Sequence, residues 1–155
     1  MRRSTRSVAV LLLAVVAAGG AGCGDDEAGR DKRDVEQVAE RFGDAFAARD
    51  GRVICEDLFT AELQQSVEAA GLTCEQAVGE SAKAVRKPRL EVLGSGIEGD
   101  RAYVTVRSSA QGQEASVDRI TLKRSAEGWR ISALNTGEEL APDQKPDVSK
   151  PTEID

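Results

Sequence analysis

The hydrophobic periodicity of this chain changes at Pro88, and that change limits the folds open to it more than any other feature. Before Pro88, apolar residues recur every three or four positions, which is the spacing of one helix face. After Pro88 they alternate with polar residues, as in a strand with one buried face. Helices followed by strands are typical of an α+β fold, in which the helices pack on one face of an antiparallel sheet.

The longest helical pattern begins at Asp34 and is stopped by Gly51. Its apolar stripe consists of Val35, Val38, Ala39, Phe42, Ala45 and Phe46. A short element over residues 52–58 follows, and it contains Cys55.

Two further helices are predicted from their capping residues. Thr60 is an N-cap for a second helix that ends at Gly71. Thr73 and Gln76 match the capping box, in which each side chain satisfies the other residue's backbone N–H, so a third helix starts here. This helix extends to about Arg86, because the following proline blocks its continuation.

Four strands joined by short turns are predicted after Pro88, and they form an antiparallel meander. The turns lie at residues 98–100, near residues 111–113 and at residues 126–128, where glycine and polar residues cluster. In the second strand, the alternation places Ala102, Val104 and Val106 on one face and Tyr103, Thr105 and Arg107 on the other. In the third strand, Ile120 and Leu122 are expected to point together. In the last strand Trp129, Ile131 and Ala133 are expected to point together. Two glycines at positions 94 and 96 indicate a bulge or bend.

The N-terminal residues 1–22 have the anatomy of an export signal: arginines, an apolar run at residues 8–18, and small residues before Cys23. The run is shorter than the about 20 residues that a membrane-spanning helix needs. Cysteine after small residues resembles the lipobox of bacterial lipoproteins, which implies lipidation of Cys23. The alternative is ordinary cleavage near residue 18 or 21, which leaves a soluble secreted protein with a spare thiol.

These patterns divide the chain into four parts. Residues 1–22 are the signal, residues 23–31 carry the lipidated cysteine and a flexible tether, and residues 32–134 form the folded domain. Residues 135–155 contain three prolines among charges and are predicted to be a disordered tail.

The chain has three cysteines and no histidine. If Cys23 carries lipid, Cys55 and Cys74 remain as a pair in an oxidising compartment, where disulfides persist. The alternative is two buried free thiols. No metal site and no cofactor are predicted, since the cysteine spacing fits no zinc pattern.

Charge excludes one class of partner. Removing the three arginines of residues 1–22 leaves 18 of the 21 basic side chains against all 27 acidic ones, a net charge of −9. Such a charge argues against nucleic-acid binding. Association with the membrane is expected to come from the acyl chains.

The folded part resembles the nuclear transport factor 2-like superfamily of cone-shaped domains, which includes ketosteroid isomerases and polyketide cyclases. The matching stretches are VEQVAERFGDAFAARDG, ICEDL, EGDRAYVTV and EGWRISAL, which lie across residues 35–134. The resemblance implies a curved sheet around the first helix with a cavity between them, and lipoproteins of this type pair the two remaining cysteines. It implies no single function, because one fold hosts many.

Five residues are candidates for a pocket: Tyr103, Thr105, Arg107, Asp118 and Trp129. Against this, Trp129 is the kind of residue that completes a core, and the other face of the second strand is typical of a solvated surface. A basic cluster of Lys83, Arg86, Lys87 and Arg89 complements the third helix's dipole or contacts lipid head groups.

The sequence predicts a non-enzymatic, lipid-anchored accessory or binding protein on the outer face of the cell membrane, contacting a membrane protein or a small apolar ligand. One alternative is an enzyme of the same superfamily that acts on a hydrophobic small molecule through Tyr103 and Asp118. Another is an interaction subunit of a membrane transport assembly, which predicts an exposed apolar patch on the open sheet face.

Overall fold

The computed structural model describes residues 24–69 and 71–135. Their elements are α1 (Gly24–Ala48), a π-helical segment (Val53–Leu58), α2 (Ala61–Glu68), α3 (Cys74–Ala84), β1 (Arg89–Glu98), β2 (Arg101–Ser109), β3 (Ser116–Ser125) and β4 (Gly128–Asn135). The predicted α+β class is confirmed, since these helices precede and pack on a curved sheet in the order β1-β2-β3-β4, each strand antiparallel to the next. The predicted signal sequence, Cys23 and residues 136–155 lie outside the described residues.

Helix α1 begins at Gly24, well before the predicted start at Asp34. Residues 24–31, predicted to be a flexible tether, are therefore its first turns, and that prediction is wrong. A tertiary contact accounts for the difference: both carboxylate oxygens of Asp31 accept hydrogen bonds from the guanidinium of Arg124 on β3, with an Oδ1–Nη1 distance of 3.0 Å. Composition indicates a linker, but the segment is held to the sheet.

The two predicted helix caps are confirmed. The backbone N–H of Leu63 donates to the hydroxyl of Thr60 over 3.2 Å at the start of α2. At the start of α3, Thr73 and Gln76 satisfy each other's backbone N–H over 3.3 and 3.1 Å. Helix α3 ends at Ala84, two residues earlier than the predicted Arg86.

A disulfide between Cys55 and Cys74 joins the π-helical segment to the first turn of α3, as predicted. Both cysteines are buried. The bond therefore attaches α3 to the core at its N-terminal end.

The sheet has two different ends. At one end the strands are joined by two-residue turns at positions 99–100 and 126–127, and we call this the turn end. At the other end lie residues 85–88, before β1, and the longer β2–β3 connection at residues 110–115, and we call this the mouth end. The N–H of Gln111 donates to the carbonyl of Arg86 over 2.8 Å, so these two segments are linked.

Two irregularities change which residues face the helices. Strand β1 shifts register between Val92 and Gly94, which confirms the predicted bulge. The β3–β4 register shifts between Thr121 and Leu122, which places Ala133 opposite Thr121 and away from the side shared by Trp129 and Ile131. The expectation that all three residues of β4 point together is therefore wrong.

The core lies between α1 and the face of the sheet that the helices cover, here called the inner face. Val35 and Ala39 of α1 are fully buried there, opposite the predicted apolar residues of β2 and β3. The inner-face residues of the central strands are Ala102, Val104, Val106, Ile120 and Leu122, all at most 2% exposed. The predicted apolar face is thus the inner face.

Candidate functional site

The inner face is open at the mouth end, where a cavity of about 250 Å³ lies between α1 and the start of the sheet. Phe42 and Phe46 line it from α1, Val85 and Pro88 from the segment after α3, and Leu90 from β1. Its polar lining comes from Arg89, Ser108, Ser109, Gln113, Glu114 and Ser116. The arrangement suits a small molecule that is mainly apolar and carries a polar group directed towards the mouth.

A close helix–strand contact forms one wall of this cavity. A Cβ atom on Gly43 would lie 2.9 Å from the Cβ of Leu90, closer than such atoms normally approach. Glycine at this position therefore lets α1 approach β1 directly. The aromatic rings of Phe42 and Phe46, with centroids 6.2 Å apart, then lie along the cavity.

A second, smaller cavity of about 140 Å³ adjoins the first and shares Phe42, Leu90 and Ser108 with it. Asp118 lines this cavity, and the hydroxyl of Ser116 donates to its carboxylate over 2.8 Å. One of the five candidate pocket residues therefore lies at the mouth. The two cavities form a graded site, apolar along α1 and polar where β3 begins.

Tyr103, Thr105 and Arg107 lie on the outer face of the sheet, opposite the helices. The guanidinium of Arg119 lies over the ring of Tyr103, 4.9 Å from its centroid. Arg107 pairs with Glu91 over 3.4 Å. The ring of Tyr103 also covers Gly96, where a Cβ atom would lie 2.3 Å from it. These contacts make an outer surface layer, and of the three candidates on β2 only Arg107 lines a described depression, at the edge of β1.

The five candidates consequently do not converge. Asp118 pairs with Val106 on the inner face, whereas Tyr103 pairs with Thr121 on the outer face. A mechanism that uses Tyr103 and Asp118 together is therefore wrong, because a β-strand directs successive side chains to opposite faces of the sheet.

Trp129 lies at the turn end and is only 6% exposed. The guanidinium of Arg124 is 4.3 Å from its ring centroid, and the same guanidinium binds Asp31. The hydrogen bond from Arg124 holds the pKa of the Asp31 carboxyl below its ordinary value. Trp129 is thus a core residue covered by an ion pair. This agrees with the interpretation of Trp129 as a residue that completes the core and not as part of a pocket.

Two further depressions on the surface of the described residues are lined mainly by charged and polar side chains. One, between Glu40, Asp44, Arg89 and Arg107, has a volume of about 570 Å³. The other, of about 480 Å³, lies between the start of α2 and the β3–β4 turn. The mouth cavity has two aromatic rings in its lining, whereas the first depression has no aromatic residue and the second has Phe59 alone among mainly charged and polar residues. We therefore take the mouth cavity as the candidate site.

No described helix is long and apolar enough to cross a membrane. Large hydrophobic side chains that are exposed in the described part of the chain are Leu72, Leu93 and Leu134. Leu72 lies in the connection between α2 and α3, whereas Leu93 and Leu134 are on the opposite edge strands β1 and β4. The apolar patch expected of a transport-assembly subunit is therefore not found on the described surface.

Sequence reasoning missed the residues that line the mouth cavity. The helical spacing places Phe42 and Phe46 in the core stripe of α1, and the sequence indicates Pro88 only as a helix stop. The single signal for a cavity is the serine pair at the end of β2, Ser108 and Ser109, where small polar residues replace the apolar alternation. That signal is also typical of a strand end.

No protein-family model and no curated protein matches the chain. Among solved structures, the Kfla4162 protein from Kribbella flavida is 20% identical over 70% of this chain and 90% of that one, with a TM-score of 0.54. This similarity shows a shared fold and nothing about activity.

Two further solved structures are less similar. A Campylobacter jejuni protein that carries the name NTF2-like transpeptidase is 18% identical over 64% of this chain and 97% of that one, with a TM-score of 0.45. RPA3114, a SEC-C motif containing protein from Rhodopseudomonas palustris, is 19% identical over 75% and 94%, with a TM-score of 0.46. At these scores the two similarities carry no argument. The helix-on-sheet architecture itself agrees with the cone that the sequence resemblance implies.

Proposed function

We propose that this chain is an exported, lipid-anchored binding protein without catalytic activity, whose mouth cavity takes a small, largely apolar molecule. The observation that carries the proposal is the cavity of about 250 Å³ between Phe42, Phe46, Val85, Pro88 and Leu90. Because the cavity is open to solvent at the mouth, an apolar ligand that enters it removes apolar surface of both the ligand and the lining from water, which favours binding.

The size of the cavity limits the ligand. A cavity of about 150 Å³ accommodates benzene, and drug-sized ligands use about 300–1,000 Å³. A volume of about 250 Å³ therefore suits a molecule of one or two rings. The polar rim of Ser108, Gln113 and Ser116 suits one hydroxyl or carbonyl group on that molecule.

The location of the protein is proposed from its N-terminal sequence and supported by the disulfide. Residues 1–22 have signal anatomy and precede Cys23, the proposed site of a thioether-linked diacylglyceryl group. A Cys55–Cys74 disulfide persists in an oxidising compartment, outside the cytoplasm. Both observations favour the outer face of the cell membrane.

Ligand binding is tested with the neutral two-ring fluorophore 6-propionyl-2-(dimethylamino)naphthalene, which carries one carbonyl group, and two matched variants of the β2–β3 connection. Ala110 lines the cavity, whereas Ala115 is exposed and lies outside it. Ala110→Phe fills the cavity and is expected to weaken binding at least about tenfold, equivalent to about 1.4 kcal/mol. Ala115→Phe should bind the probe as the parent protein does.

Equal binding by the two variants, or no fluorescence enhancement with the parent protein, contradicts the binding proposal. Thermal melts of both variants establish that each is folded before the affinities are compared.

The anchor is tested by the intact mass of the protein extracted from membranes, alongside Cys23→Ala. We expect a chain that begins at Cys23 and carries a diacylglyceryl group, and we expect the variant to lose both the lipid and the membrane association. A mass that begins elsewhere and carries no lipid contradicts the proposal.

A further inference from the structure

We infer that α1 orients the whole domain on the membrane, with the turn end of the sheet towards the lipid and the mouth cavity directed away from it. The inference rests on the lipid anchor at Cys23 proposed above. It depends on three structural facts: where α1 begins, in which direction it runs along the sheet, and what holds it there.

The helix leaves no flexible connection between the anchor and the domain. Cys23 is covalently bonded to Gly24, which is the first described residue and already lies in α1. Adjacent Cα atoms are about 3.8 Å apart. Residues 24–30 are helical and rise about 10 Å before Asp31 reaches the sheet. The anchor is therefore confined to a short distance from the point where α1 meets the domain.

The direction of α1 follows from three contacts along its length. Asp31 binds Arg124 near the end of β3, at the turn end. Glu36 accepts a hydrogen bond of 2.7 Å from Ser95, further along the sheet. Gly43 then packs on Leu90, the second residue of β1, at the mouth end. The N-terminus of α1 thus emerges at the turn end, and its later turns form the cavity.

The first of these contacts fixes the helix close to its start. Asp31 and Arg124 form a two-point ion pair, and the guanidinium also lies over the buried ring of Trp129. A planar guanidinium held at two oxygens and against an aromatic face has little rotational freedom. Movement of the helix start relative to the sheet is restricted accordingly.

One feature of the sequence predicts the opposite orientation. The basic residues Arg86, Lys87 and Arg89 lie at the mouth end, and a contact with anionic head groups would direct the mouth towards the membrane. The anchor geometry opposes this, because the strand β3 alone separates the two ends by about 30 Å. The two orientations therefore place different residues near the lipid.

The orientation is measured by energy transfer from a donor on the protein to an acceptor lipid in reconstituted vesicles. Full-length protein is expressed, extracted from membranes with its lipid and labelled at a single added cysteine under non-reducing conditions. The matched pair is Ala126→Cys and Ala115→Cys, which are both exposed and flank β3 at its two ends. Vesicles contain a neutral phospholipid, with and without an anionic one.

We expect severalfold greater transfer from position 126 than from position 115 in both kinds of vesicle. Equal transfer, or greater transfer from position 115, overturns the inference. A reversal that occurs only with anionic lipid also overturns it, since the basic cluster then decides the orientation.

A variant with a flexible Gly/Ser segment inserted between Cys23 and Gly24 shows whether the helix is the cause. The insertion is expected to remove the difference between the two positions, and an unchanged difference contradicts the role of α1. Flotation with vesicles is recorded for every sample. If the protein does not float, the proposed lipid anchor is contradicted. If it floats but shows no difference in transfer between the two positions, only the inferred orientation is contradicted.

Discussion

The turn end and the mouth end of this sheet share the same strands and the same helix, yet one is filled and the other is hollow. At the turn end, Trp129 fills the space between α1 and β4, and the Asp31–Arg124 ion pair covers it. At the mouth end, the inner face carries Ser108 and Ser116 where a filled core needs large apolar side chains.

The difference separates stability from binding within one small domain. A filled end supplies apolar burial and holds the helix in place, which a chain of this length needs. An end with small side chains gives up that burial and keeps space for another molecule.

Truncation of an aromatic residue should lower the free energy of unfolding far more at the turn end than at the mouth end. Trp129→Ala is expected to destabilise the domain by about 3–5 kcal/mol, because it leaves a cavity in the core. Phe46→Ala removes a half-buried ring at the mouth and should cost less than about 2 kcal/mol. Urea unfolding at neutral pH measures both, and equal costs would falsify the contrast.

Loss of the disulfide should increase local unfolding most at the mouth end, because the disulfide holds α3 and α3 leads into residues 85–88. The double variant Cys55→Ala/Cys74→Ala is expected to lose about 3 kcal/mol for a loop of this size. Hydrogen exchange should accelerate in α3 and at residues 85–88 more than at the β3–β4 turn. The opposite pattern would show that the turn end depends on α3 as well.

A matched pair of helix glycines tests the close packing at the mouth. Nothing lies within 4 Å of a Cβ atom at Gly79 of α3, so Gly79→Ala should stabilise the domain by about 0.5–1 kcal/mol. Gly43→Ala would place its Cβ 2.9 Å from that of Leu90, and the clash should outweigh the helix-propensity gain.

The net loss for Gly43→Ala is expected to reach up to about 2 kcal/mol. Chemical denaturation measures both glycine variants. If Gly43→Ala is stabilised as much as Gly79→Ala, α1 can move away from β1 to accommodate the added methyl group. The helix–strand contact that forms the cavity wall is then not tightly packed.

The smallest effect concerns the ion pair that covers the turn end. The pKa of Asp31 is lowered by its hydrogen bond with Arg124, so its contribution is present above the unfolded-state pKa and lost as the pH falls through the folded-state pKa. Asp31→Asn should therefore be slightly less stable than the parent protein at pH 7. The difference should vanish in acid, below the usual carboxyl range.

Thermal melts across this pH range compare the two proteins, and Glu127→Gln is the control. Glu127 also contacts an arginine, Arg130, but it is largely exposed, and an exposed pair contributes little. A larger loss with Glu127→Gln than with Asp31→Asn would show that the turn end is not closed by the Asp31 contact.

Local patterns predicted most of the elements correctly. The capping residues Thr60 and Thr73 set the starts of α2 and α3, because a cap satisfies backbone groups within a few residues of itself. The alternation in β2 identified its inner face, and the glycines of β1 indicated its bulge. These features depend on neighbours along the chain, so they are readable in the sequence.

The candidate site was predicted only in part. Asp118 lies at the mouth, but Tyr103, Thr105 and Arg107 are on the outer face, and Trp129 is buried at the far end. Grouping them required knowing how the strands pair and which face the helices cover. A register shift of one residue, as in β4, reverses that assignment.

The sequence by itself determined the order of helices and strands and the helix caps, because each follows from local spacing and composition. Only the tertiary structure decided that residues 24–31 continue α1, that the five candidates divide between two faces, and that the mouth is hollow. The physical reason is that these features arise from contacts between residues far apart in the chain. Asp31 meets Arg124 and Gly43 meets Leu90 only after the sheet has formed.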